Sequence, residues 1–192
     1  CSSDLSVNPF EEAMLAFLRM DPDVGMFGEI RDKISGHMAH AAIQTGHKLL
    51  TTVHATSALG IIARLTSQHI GLLREDVCTP DFLSILIYQT LIPKNCNYCS
   101  VPAISVMSPQ SLMAYEKYFN LDVGKFRSAS DAGCPKCQVA GLENTGNIHS
   151  GVSGVKVCAE VIPVTTELMH LMRKHEDIQA REAWLAMRQS PF

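Results

Sequence analysis

The sequence lacks a long hydrophobic run. Its strongest candidate, residues 82–92 (FLSILIYQTLI), is far short of the roughly 20 residues that a membrane-spanning helix needs. A basic-then-apolar leader is also missing, which argues against secretion. Charge is sparse: 18% of residues are charged, and 16 basic against 19 acidic side chains leave a formal net charge of −3. The basic residues are scattered, with short clusters such as Arg173-Lys174-His175, so no general nucleic-acid surface is expected. There are no internal repeats and no low-complexity tracts. The chain opens at Cys1 without an initiator methionine, which reads as a piece of a longer protein. What is present is a globular composition, 46% hydrophobic over 192 residues, enough to bury a core.

The hydrophobic pattern predicts a mixed α/β fold. A short helix is expected over residues 10–20, broken by Asp21-Pro22-Asp23, because the residue before a proline avoids helical geometry. Val24-Gly25-Met26-Phe27, ending at Gly28-Glu29, predicts a buried strand with an acid at its carboxyl end. Residues 33–45 carry Ile34, Met38 and Ala42 on one helical face, with Gly46 as the stop, and residues 48–53 (KLLTTV) predict a second strand. Strand, helix and strand in about thirty residues imply a parallel sheet covered by helices.

Further along, Thr56 or Ser57 can cap a helix with the stripe Leu59, Ile62 and Leu65, closed by Gly71. Thr79-Pro80-Asp81 predicts another helix start, running to about Leu91 before Pro93. Residues 138–153 predict a flexible loop rich in Gly, Asn and Ser. Residues 155–162 predict a strand with Val155, Val157, Ala159 and Val161 on one face. Helices are expected over 165–174 and 177–189, the latter with Ala180, Ala183, Trp184 and Met187 in one stripe.

Seven cysteines include two C-x-x-C pairs, Cys96/Cys99 and Cys134/Cys137. Each pair sets two sulfurs at the spacing of two corners of a tetrahedron, and together they complete the four-thiolate shell that structural zinc prefers. Without a signal peptide, metal is favoured over disulfides and the cytoplasm is the consistent compartment. A thioredoxin-like motif needs only one such pair. Cys78 and Cys158 read as packed thiols, outside the ligand set with Cys1.

An acid at the end of an apolar strand is how phosphate-transfer ATPases hold magnesium and the attacking water, and Glu29 fits that place. His54 follows the carboxyl end of the next strand, the edge at which open α/β sheets bind ligands. Its imidazole can donate to a phosphate or to the acid beside it. His47 precedes the same strand. Alone, each of these is also what a solvated surface residue looks like. His37 and His40 lie i, i+3 on a helix but lack a third ligand, and read as surface residues.

Taken together, FLRMDPDVGMFGEIRD (residues 17–32), TGHKLLTTVHAT (45–56), ALGIIARL (58–65), YQTLIPKNCNYC (88–99) and GCPKC (133–137) resemble the secretion ATPase family of type II secretion and type IV pilus assembly. The resemblance covers almost the whole chain. It departs at Ala55-Thr56 after His54, at Thr90 after Gln89, and at Gly151-Val152-Ser153-Gly154 before the late strand. It implies a partial RecA-like core over 1–93, an inserted tetracysteine zinc subdomain over 94–140, and a late strand with a helical carboxy-terminal subdomain over 141–192.

By the same resemblance, Glu29 and His54 match catalytic positions, and His47, Arg31 and Asp32 match nucleotide-site positions. Cys96, Cys99, Cys134 and Cys137 match zinc ligands. The implied parent is a homo-hexameric ATPase using ATP and magnesium, cytoplasmic and peripheral at the inner membrane through a platform protein. No G-x-x-x-x-G-K-[ST] occurs in this chain, so the P-loop, like the family's arginine fingers, would lie upstream, and the chain by itself is expected to be inactive. The alternative is a non-enzymatic zinc module docking a partner protein.

Overall fold

Helix α1 (Pro9–Arg19) is ended by Asp21, which turns into the left-handed region at φ 49°. The computed structural model describes residues 9–137 and 151–187. Strand β1 (Val24–Glu29), helix α2 (Lys33–Gln44) and strand β2 (Lys48–Thr52) follow in the predicted order, and β1 pairs with β2 in parallel. Asp32 starts α2: its carboxylate accepts the Ser35 amide at 2.9 Å, while its own amide donates to the Ser35 hydroxyl at 3.1 Å. This reciprocal box satisfies two amides that a helix start leaves without intrahelical partners.

Burial alternates along β1 instead of being continuous. Gly25 and Phe27 are buried, whereas Val24 and Met26 are exposed. The covered face is the one that α1 reaches: Phe17 lies so close to Gly25 that a Cβ there would stand 2.1 Å from the ring.

Helix α3 (Gly60–Leu65) is shorter than its stripe, but Ile62 and Leu65 are buried as predicted and the Ser57 hydroxyl accepts the Gly60 amide at 3.0 Å. A short helix α4 (Arg74–Val77) follows. The helix expected over 79–91 does not form. Thr79 and Phe82 close a turn with Asp81 at φ 69°, and the chain then extends as strand β3 (Ile85–Asn95). Ile85, Ile87, Tyr88, Thr90 and Ile92 explain the difference, since β-branched and aromatic side chains suit a pleated ribbon. A partner strand supplies the hydrogen bonds that a helix would otherwise make internally.

That partner is β6 (Val152–Pro163). The Val164 amide meets the Ser84 carbonyl near one end of the ribbon and the Cys96 amide meets the Gly151 carbonyl near the other, so the two strands run antiparallel. Residues 152–153, expected in a loop, belong to β6, and Gly151 before them is in a turn; residues 138–150 of that expected loop lie outside the described residues. The predicted apolar face of β6 is exposed at Val155, Val157 and Val161, while Ile162 on the other face is fully buried. Cys158, expected to be packed, is exposed, and Cys78 is buried as expected.

Two compact units result. Among the described residues, one takes those up to Tyr88 and those from Glu160 onward; the other takes those from Gln89 to Ala159. The first is completed by α6 (Thr166–Arg173), capped by the Thr165 hydroxyl, and α7 (Asp177–Met187). Arg74 pins these helices: its guanidinium donates to the Met172 carbonyl at 2.6 Å and pairs with Asp177. The second holds β4 (Val101–Pro102) antiparallel to β5 (Arg127–Ser128), and α5 (Pro109–Phe119), started by Ser108. No helix among the described residues is long and apolar enough to cross a membrane.

Candidate functional site

Parallel pairing puts the carboxyl ends of β1 and β2 at one edge of their sheet, and the two residues singled out there meet. His54 Nε2 stands 3.4 Å from Glu29 Oε1, with the imidazole almost fully exposed and the carboxylate about one-third exposed. The approach depends on an irregularity: Phe27 pairs with Thr51, but Glu29 pairs with Thr52, so Gly28 is an extra residue on β1. The Thr52 hydroxyl donates to the Gly28 carbonyl at 2.7 Å, and the Ile30 amide donates to the Thr52 carbonyl at 2.9 Å.

Arg31 and Asp32 lie just beyond this edge. Arg31 is exposed, with its guanidinium 3.7 Å from Asp32 Oδ2. Asp32 is engaged in the α2 cap, and the Ser35 amide, followed by the Ser35 hydroxyl, holds its carboxyl below the ordinary range. Asp32 thereby fixes the turn from strand into helix.

His47 is not brought to the pair. It precedes β2, whose five residues at about 3.3 Å each separate it from the carboxyl edge by roughly 16 Å. Its side chain is buried, with Nδ1 3.0 Å from the Thr45 hydroxyl, Nε2 3.7 Å from Asp21 Oδ1, and the ring against Phe17. This is a packing environment at the end of the sheet where α1 finishes. His37 is exposed, but His40, expected at the surface, is mostly buried, packed on Phe82 with Nε2 3.3 Å from Asp76.

In the second unit the four predicted cysteines converge. Their sulfurs lie within 4.8 Å of one another, with Cys96–Cys134 at 3.9 Å, Cys99–Cys137 at 3.7 Å and Cys134–Cys137 at 3.9 Å. Four sulfurs about 2.3 Å from a tetrahedral zinc stand about 3.8 Å apart, so the donor set fits that ion. The thiols are also differentiated. The Cys134 amide draws Cys137 down to about 7 against the opposing effect of burial, with the Gly151 backbone helping. Burial, then hydrogen bonds among the four, pushes Cys99 up to about 12.

Sequence reasoning missed the capping role of Asp32 and two supporting residues, Thr52 and Glu160. Asp32 as a cap is legible in hindsight, since Asp-x-x-Ser precedes the apolar period of α2. Thr52 gives no local signal. Nor does Glu160, whose carboxylate accepts the amide of fully buried Ala58 at 2.8 Å and so secures the segment after His54 from 102 positions away.

The family model described as "Type II/IV secretion system protein" matches residues 4–190. The type IV pilus assembly ATPase PilB of Pseudomonas aeruginosa is 33% identical over 141 residues, covering 71% of this chain and 24% of the relative. The type II secretion system ATPase E of Vibrio cholerae is 30% identical over 181 residues, covering 92% of this chain and 32% of the relative. The chain thus spans less than a third of the length of these curated relatives. Among solved structures, the pilus retraction motor PilT with bound ADP superposes with a TM-score of 0.54 at 20% identity, covering 94% of this chain and 37% of that one. The ATPase DotB of Yersinia pseudotuberculosis gives 0.51 at 18% identity, covering 90% and 33%. These two similarities are of fold. By its sequence, the chain belongs to the type II/IV secretion system protein family.

Proposed function

We propose that this chain supplies the hydrolytic rim and a zinc knuckle to an ATPase motor of type IV pilus assembly or type II protein secretion. The observation that carries the proposal is the Glu29–His54 pair, 3.4 Å apart at the carboxyl edge of two parallel strands. In this reading Glu29 orients and polarises the water that attacks the γ-phosphorus. The new P–O bond forms as the bond to the bridging oxygen breaks, and the proton of water passes to the carboxylate or to phosphate. His54 holds the carboxylate's orientation and offers an N–H to it or to a phosphate oxygen.

The rim is open at Gly28, where a Cβ would meet nothing within 4 Å. Magnesium bound with the nucleotide supplies charge neutralisation on the phosphate oxygens. The sequence offers no glycine-rich cradle for those phosphates, so turnover is assigned to the full-length protein and this chain alone is expected to be inactive. Arg31 and Asp32 shape the rim, while His47 stands outside it. In this reading the RecA-like core of residues 1–93 carries the rim, Cys96, Cys99, Cys134 and Cys137 would hold a structural zinc in the 94–140 subdomain, and residues 141–192 add the late strand and a helical carboxy-terminal part whose Leu168, Met172 and Ala180 share the first unit's core. A homo-hexamer in the cytoplasm, peripheral at the inner membrane through a platform protein, is the assembly this reading carries.

The test uses the full-length protein. Glu29→Gln should lower kcat by about 100-fold or more while ATP binding is largely kept. Turnover at the wild-type rate would remove Glu29 from the chemistry.

A further inference from the structure

Alternation along β1 would send Glu29 to the same face as Phe27, into the core. One extra residue in a strand reverses that, because a one-residue slip exchanges the two faces of everything beyond it. The shift between Phe27 and Glu29 has this effect: Phe27 pairs with Thr51, whereas Glu29 pairs with Thr52, the neighbour that faces the other way. His54 lies just past the end of β2, and its Nε2 stands 3.4 Å from Glu29 Oε1. The slip also explains why Ile30 is buried while Glu29 is only partly so.

Gly28 itself does not enforce the irregularity. Its φ is not in the left-handed region, and a side chain there would meet no neighbour within 4 Å. The clamp is on β2: the Thr52 hydroxyl donates to the carbonyl of the extra residue at 2.7 Å, and the Thr52 carbonyl receives the Ile30 amide at 2.9 Å. The main-chain half of the clamp is available to any residue, but the hydroxyl half is not. We propose that Thr52 is a positioning residue, whose hydroxyl holds the bulge that turns Glu29 out of the core and toward His54. The assignment rests on the hydrolytic reading of that pair.

The experiment compares Thr52→Val, which keeps the shape and loses the donor, with Thr52→Ser, which keeps the donor, both in the full-length protein. The valine variant should lose about tenfold or more in kcat, the scale of a small misplacement of a reacting group. KM for ATP and the melting temperature should stay near wild type, and serine should restore most of the rate. In a Glu29→Gln background, Thr52→Val should cost nothing further, since the carboxylate it positions is gone. If valine impairs folding, Thr52→Ala is compared with serine in the same way. Wild-type kcat in a folded hydroxyl-free variant, or no recovery with serine, overturns the assignment. Glu29→Gln measured alongside separates the two claims. Full turnover there sinks the hydrolytic reading itself, whereas loss there with full turnover in Thr52→Val sinks only the role of Thr52.

Discussion

The two compact units are held together by different means. The apolar core cluster runs from Met14 through Ile62, Ile70 and Leu86 to Ile162, Leu168 and Ala180, and every member belongs to the first unit. In the second unit the buried apolar residues among those described are Cys96, Ala103 and Cys137, and two of these are thiols of the cysteine cluster. Ile104, Val106, Met113 and Tyr118 in that unit are exposed. The first unit's fold follows from burial of side chains against one another. The second has few such contacts among its described residues, and a metal held by the four cysteines, as proposed above, would supply the staple that small domains of this kind use.

Removing the metal should therefore give the largest difference between the units. A strong chelator, or Cys96→Ser, should abolish amide-exchange protection around residues 94–137, since structural zinc contributes on the order of 10 kcal/mol. Protection in α2 and β2 should survive. Elemental analysis should first find one zinc per chain; an intact, protected second unit with no metal would break the contrast. Next in size, Ile62→Ala should cost the first unit about 2–5 kcal/mol in denaturant unfolding, the usual penalty for emptying a packed site, and zinc content should not change. Smaller again, Glu160→Ala should cost about 1 kcal/mol through the unpaired Ala58 amide, together with faster exchange of that amide.

The smallest effect concerns pH. The carboxyl of Asp32 titrates below its ordinary value of 3.8, so its contribution to α2 is fully present above that value and is lost as pH falls through the folded pKa. Melting of wild type and Asp32→Ala should differ at pH 6 and converge as pH drops below about 3.8. A gap that persists in acid would remove the charge from the cap's contribution.

Much of the first unit was legible because its signals are local. The strand-helix-strand of β1, α2 and β2 has clean periods and glycine punctuation, and parallel pairing then forces Glu29 and His54 to a common edge. The cysteine spacing likewise carried its own geometry. Residues 79–91 were misread because Thr79-Pro80-Asp81 is a sound helix start in isolation, and the preference of Ile85 to Ile92 for extended backbone counts only once β6 supplies the hydrogen bonds. His47 shows a different gap: its place before β2 was legible, but not the burial of its ring beside Phe17 and Asp21. Thr52 and Glu160 were invisible because their partners, Gly28 and Ala58, are chosen by the register of the sheet and by long-range packing.

Gly151 ties the main chain directly to the cysteine knuckle. Its carbonyl receives the Cys96 amide at 2.7 Å, and its backbone also bears on Cys137. At φ 75° a side chain would be strained, and its Cβ would stand 2.5 Å from the backbone of Ser130. Both cysteine turns are therefore braced by peptide groups, which surface substitutions leave untouched. Position 151 is thus the point where a single added methyl would press on Ser130 and pry the knuckle open.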